Sequence, residues 1–182
     1  KSKNFTQAAD IYSELLEQIY KPDEPLTAQL CKDFANYGEC LINTGETDEE
    51  TWETAWEVLE NARVGYEQLN ESERPPEALI DVHELLGELQ LKQQKIEGSI
   101  EEYDKAFTLA QQNPDLSWRL SVNALYMKSI CLKILQETQE YKNVLNQAID
   151  LVEKAKADPK NAADLQALDE IKADFISRRD AQ

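Results

Sequence analysis

Apolar residues recur at three- and four-residue spacing along nearly the whole chain, and the recurrence breaks most clearly at residues 21–25, 73–76, 113–115 and 158–161. That period puts apolar side chains on one face of a helix. The breaks are built from the Pro, Asn and Asp that stop helices. The pattern predicts seven helices, over about 5–19, 26–43, 50–70, 76–93, 96–112, 116–136 and 141–157, and an eighth over about 161–179. Pro76 is expected at a first helical position, where its missing N–H costs nothing. No convincing strand is found. Five Gly and six Pro in 182 residues are too few for the tight turns of an all-β barrel or sandwich. The 41% hydrophobic content suffices for a core and excludes wholesale disorder. No apolar run approaches the ~20 residues that span a bilayer.

Helices in series raise the question of a repeat. Tyr37-Gly38 and Leu86-Gly87 each set a large residue before Gly on a helix face, where another helix must come close. Beyond Gly87, the residues Ser99, Tyr103 and Ala106 supply small, large and small positions on the next helix. This is the tetratricopeptide pattern, whose basic period is about 34 residues. The fold expected is therefore all-α, a right-handed superhelix of antiparallel helix pairs forming one domain. Residues 1–20 would be the second helix of a first repeat, with Phe5, Ala8, Tyr12 and Leu15 as its apolar face. Residues 26–70 would be the second repeat, 76–112 the third and 116–157 the fourth. Leu145, Ala148, Val152 and Ala155 would form the fourth repeat's second helix, although Lys128 and Ser129 stand where its large-Gly pair belongs. Residues 161–182, carrying Leu165, Leu168, Ile171 and Phe175, would cap the open apolar end, as a solenoid requires. The chain opens on Lys1 in mid-pattern and is read as a fragment of a longer protein.

The second repeat is stretched. Gly38 and Gly87 are 49 residues apart, and five of the extra residues fall between the two helices of that repeat, as an acidic interruption at about 43–51. A polar loop there costs little stability, since closure entropy grows slowly with length. The charge follows the same geography. Residues 33–62 hold nine acids and no base, residues 119–160 hold seven bases and five acids, and the chain carries −17 overall. That balance repels phosphate, so no direct nucleic-acid binding is expected and a basic partner is favoured.

Asp81, Glu84 and Glu88 share a helix face, on the groove side of Gly87 in a tetratricopeptide array. With Leu91, and with Asn123, Tyr126 and Met127 of the fourth repeat, they are the expected groove contacts. Glu46, Asp48, Glu49 and Glu50 are the expected loop contacts. A Met and a Tyr beside acids suit an amphipathic basic helix. Trp52 reads as core, and Trp56 as core in preference to a partner contact. His83, the single His, reads as a packing residue, and without a second such base no hydrolase triad can be built. No Gly-rich phosphate loop and no Cys/His metal spacing appears, so neither metal, cofactor nor catalysis is expected. Cys31, Cys40 and Cys131 sit inside apolar patterns at unrelated spacings, as buried residues of a reducing compartment would.

The run from Ala78 to Leu91 (ALIDVHELLGELQL), continued by Ile100 to Ala106 (IEEYDKA), closely resembles the interrupted tetratricopeptide motif of the nuclear autoantigenic sperm protein family. Tyr37 to Leu41 (YGECL) and Trp56 to Arg63 (WEVLENAR) resemble the corresponding parts of its second repeat, and the fourth repeat looks most like fungal members. These are histone chaperones with an acidic segment inside the second repeat, where this chain has its insertion. The resemblance implies binding of histone H3, alone or as H3–H4, through the groove and the interruption. It implies a native interruption longer than the one seen. It implies roles in histone transport, nucleosome assembly and chromatin organisation, and a nuclear location, with shuttling through the cytoplasm left open. The fungal members accompany the type B histone acetyltransferase, which adds that complex as a further partner.

Two other readings stand beside it. A tetratricopeptide co-chaperone would clamp the C-terminal carboxylate of a heat-shock protein, but that needs Lys, Arg and Asn where Asp81, Glu84 and Glu88 stand. A scaffold for an apolar or basic peptide is the other.

Overall fold

In a computed structural model, residues 2–181 are described, with side chains from Asn4 onward. The chain divides into two compact units, 1–94 and 95–182. The division falls inside the stretch read as the third repeat, so that stretch gives one helix to each unit.

The first unit holds α1 (Ser2–Ile19), α2 (Ala28–Asn43), α3 (Glu49–Gln68) and α4 (Ala78–Lys92). Each helix packs on the one before it, and α2 also packs on α4. The second holds α5 (Ile96–Gln112), α6 (Trp118–Ile134), α7 (Thr138–Ala157) and α8 (Leu165–Asp180), again packed in sequence, with a 3-10 turn at Pro159–Asp164 before α8. The described residues contain no strand, so the protein is all-α. None of its helices is long and apolar enough to cross a membrane.

Caps explain where the helices begin. Thr27 Oγ1 accepts from the Leu30 amide at 3.2 Å, and Asp48 Oδ1 from the Thr51 amide at 2.9 Å. Each bond satisfies an amide that the first helical turn leaves open. Pro76 is not a first helical residue. It lies in a turn closed by the Ala78 amide on the Pro75 carbonyl at 3.0 Å, and α4 starts two residues after it. Helix α7 starts one turn earlier than its apolar pattern, because Thr138–Glu140 is a polar first turn that buries nothing. The turns after α4 and α6 match: Gln94 and Gln136 both have φ of 61°. Each sits two residues beyond its helix, where a left-handed residue ends the spiral.

The core of the first unit forms where helices come close. At Gly38, a methyl group would lie 2.6 Å from the Leu59 side chain, so α2 and α3 approach as the large-Gly pair predicts. A second close approach occurs at Gly65, where a methyl group would meet Cys31 Sγ at 2.5 Å. Leu59, Ala62, Ala55, Ile80 and Leu86 are fully buried. In the second unit Leu125, Val144, Leu145, Ala148, Val152, Leu168 and Phe175 form one cluster.

Several apolar expectations shift. On α1 the buried residues are Ala9 and Leu16, with Phe5 and Tyr12 half-buried, while Leu15 faces solvent. The packed face is turned by one residue. Leu165 is exposed because α8 has only just begun there, and Trp52 is half-buried. Trp56 is 38% exposed on α3, between Ala55 and the buried pair Val58 and Leu59. It falls on the outer side of the face those residues bury, so it is not a core residue. His83 is buried, on the packing side as read.

Candidate functional site

In the first unit the expected groove acids differ in environment. Asp81 keeps solvent-exposed surface, yet burial pushes its carboxyl up to about 6, with Glu77 and then Glu39 adding repulsion. Among the described residues, Asp81 pairs with no Lys or Arg. Its charge is felt by Tyr66, whose hydroxyl is driven up to about 12, first by burial and then by Cys31, Asp81 and Asp33. Asp33 is itself buried and accepts from Gln29 Nε2 at 2.9 Å. The sequence reading counted Asp33 and Glu39 only as members of the acid run over 33–62 and did not single out Glu77. Glu77 stands four residues before Asp81 at the start of α4, but the approach of Glu39 depends on α2 packing against α4, which spacing within one helix does not reveal.

Glu84 is half-buried. Glu88 is partly neutralised: it pairs with Lys92 Nζ at 3.3 Å, and Lys92 also donates to the Ile42 carbonyl at 3.1 Å, tying the end of α4 to α2. Leu91, on the same helix, is half-buried. Asp81, unlike Glu88, has no cation paired to it among the described residues.

The loop acids have structural work as well. Asp48 caps α3 through the Thr51 amide and also accepts from Thr51 Oγ1 at 2.7 Å. These two bonds hold its carboxyl below the usual carboxylate range. Glu49 and Glu50 fill the first turn of α3, where negative charge suits the helix dipole. Thr51 Oγ1 reaches Glu46 Oε2 at 3.4 Å. All four loop acids are exposed, and Gly45, at φ 88°, makes the turn into them.

In the second unit, Asn123 and Tyr126 line a cavity of about 630 Å³ between α6 and α8. Its walls are Trp118, Leu120, Val122 and Tyr126 from α6 and Ile171 and Phe175 from α8. The Tyr126 and Phe175 rings meet at 6.1 Å. Arg178 lies over the Tyr126 ring at 5.1 Å and holds Asp174 at 2.5 Å. Arg119 lies over Trp118 at 4.7 Å and pairs with Asp164 at 3.1 Å. Met127, half-buried, does not line the cavity. The α8 wall was read from sequence as a cap alone; its apolar spacing is the same for either role.

The irregular Lys128 and Ser129 also find their reason here. Lys128 Nζ reaches both carboxylate oxygens of Asp104 on α5, at 2.8 and 2.9 Å. Its side chain is largely shielded from water while its charge is met. Ser129 is buried and donates to the Tyr126 carbonyl at 2.6 Å. A small residue there serves where Gly was expected.

No group of three or more His, Cys, Asp or Glu among the described residues could hold a metal ion. Burial pushes the Cys31 thiol up to about 11 and raises those of Cys40 and Cys131. Thiols so held are poor nucleophiles. Comparison with family models and with curated proteins finds no match.

Proposed function

We propose that this chain is a tetratricopeptide-repeat histone chaperone of the nuclear autoantigenic sperm protein type. In this reading it binds histone H3, alone or with H4, and has no catalytic activity. It serves histone transport and nucleosome assembly in the nucleus, and the type B acetyltransferase complex is a further partner.

The observation that carries the reading is Asp81: exposed, repelled by Glu77 and Glu39, and with no Lys or Arg partner among the described residues. An acid in that state gains from an incoming Lys or Arg, whose charge restores its ionised form. The −17 net charge and the base-free stretch over 33–62 extend the attraction beyond this one carboxylate. Histones supply dense positive charge, and a chaperone must compete with phosphate for it.

The test is Asp81→Lys combined with Glu88→Lys. Affinity for recombinant H3–H4 should fall at least about tenfold, equivalent to roughly 1.4 kcal/mol, with helicity unchanged. Unchanged affinity in a folded variant refutes the assignment. A peptide ending in Glu-Glu-Val-Asp serves as the co-chaperone control and should not bind.

A further inference from the structure

We infer that the cavity between α6 and α8 is the seat for the apolar face of a basic amphipathic helix, with α8 acting as a wall of the site as well as a cap. The inference rests on the proposed function for its biological source of ligand and adds what that ligand must look like.

Six apolar side chains line the cavity, and its volume of about 630 Å³ lies within the range of built ligand sites. That is too large for one side chain and too narrow for a folded domain. Along α6 the lining runs from Trp118 to Tyr126. Those nine residues rise about 12 Å, or roughly two turns. A partner helix of similar length presents apolar residues at i, i+3, i+4 and i+7, enough to lie along a lining of this length.

Charge selects the sign of the flanks. Two of the charged residues that line the cavity are already engaged, Arg119 with Asp164 and Asp174 with Arg178. Glu170, which also lines the cavity, meets only the neutral Gln166 at 3.0 Å and no Lys or Arg among the described residues. The charge left over at the rim is negative, as it is for the whole chain. An acidic or neutral helix would leave Glu170 unmatched; a Lys or Arg beside the apolar face would pair with it.

The probes are a peptide of about 18 Leu and Lys residues with every Leu on one helical face, and a permuted peptide of equal composition without such a face. Calorimetry on the full chain at about 0.15 M salt limits plain charge attraction. The facial peptide should bind at least about tenfold tighter than the permuted one. Glu170→Lys and Leu120→Asp should each remove that advantage with helicity intact. If Leu120→Asp unfolds, the exposed Glu170→Lys decides. Equal binding of the two peptides overturns the inference, because charge alone then suffices. A facial advantage that survives both substitutions overturns it too. So does a dimer of the chain that Leu120→Asp dissolves, since a second copy would then own the groove. H3–H4 separates the two proposals. Wild-type chain that holds the facial peptide but not H3–H4 refutes the histone reading and keeps the groove. H3–H4 held equally by wild type and both variants refutes the groove as its seat and keeps the histone reading.

Discussion

In the proposed reading, Asp81 serves a partner at the expense of the fold. Its carboxyl titrates near 6 in the folded chain, above the ordinary aspartate value of about 3.8. The folded state therefore binds more protons than the unfolded state between those two values. This group's contribution to stability is then greatest below about pH 4 and falls as pH rises through 6. Asp81→Asn removes the loss. At pH 7 it should stabilise the chain by about 1 kcal/mol, or roughly 2–4 °C in Tm, the shift being discounted because the group faces solvent. The same substitution should weaken H3–H4 binding. In the wild type, a bound Lys or Arg lowers the carboxyl's pKa, so binding releases a proton and affinity should climb from pH 5 to 7. In the Asn variant that climb should flatten. Thermal melts at pH 4.5 and 7 beside titrations at pH 5 and 7 check both. A variant less stable at pH 7, or one with the wild-type slope, removes Asp81 from the site.

At the scale of elements, α2 and α3 carry the most specific sequence signal and the clearest limit on it. The large-Gly pair announced a close approach at Gly38, and Leu59 stands there. Gly38→Ala should cost about 1–3 kcal/mol by overpacking, and Leu59→Ala about 2–5 kcal/mol by leaving a cavity. Because the new methyl would fill part of that cavity, the double variant should cost measurably less than the sum. Denaturant melts of the four proteins test it, and strict additivity would disprove the contact. Helix number and order were legible because each helix repeats its own period. The facing of α1 was not, since Leu15 and Leu16 are both apolar and tertiary packing chose the second. Nor was Trp56, because apolar size alone does not say which side of α3 a neighbour covers. The junction before α3 held a similar ambiguity. An acidic loop reads as a ligand site, yet Asp48 is the cap of the helix that follows. Asp48→Ala should therefore cost about 1 kcal/mol of stability, as capping losses do. Glu49→Gln with Glu50→Gln should cost only a few tenths per residue and weaken histone binding instead. Far-UV melts and H3–H4 titrations separate the two roles, and equal effects from both sets would show that they do not differ.

For the whole molecule, charge opposes compactness and favours a cationic partner, so salt should push stability and binding in opposite directions. With −17 distributed over 182 residues, like charges repel across distances that dilute buffer does not screen. The Debye length is about 30 Å at 0.01 M and about 10 Å at 0.1 M. Raising NaCl through that range should therefore raise Tm by relieving self-repulsion. Over the same range, affinity for H3–H4 should fall, because screening also weakens the attraction that draws the partner in. The decline should level off, since apolar contact with the α6–α8 cavity does not depend on ionic strength as charge does. The plateau should vanish in Leu120→Asp, leaving a fall that continues with salt. Affinity that does not change between 0.02 and 0.3 M would mean that the acidic surface plays no part in capture. A Tm that falls with salt would mean that the local pairs, such as Lys128 with Asp104 and Lys156 with Asp169, outweigh the net repulsion.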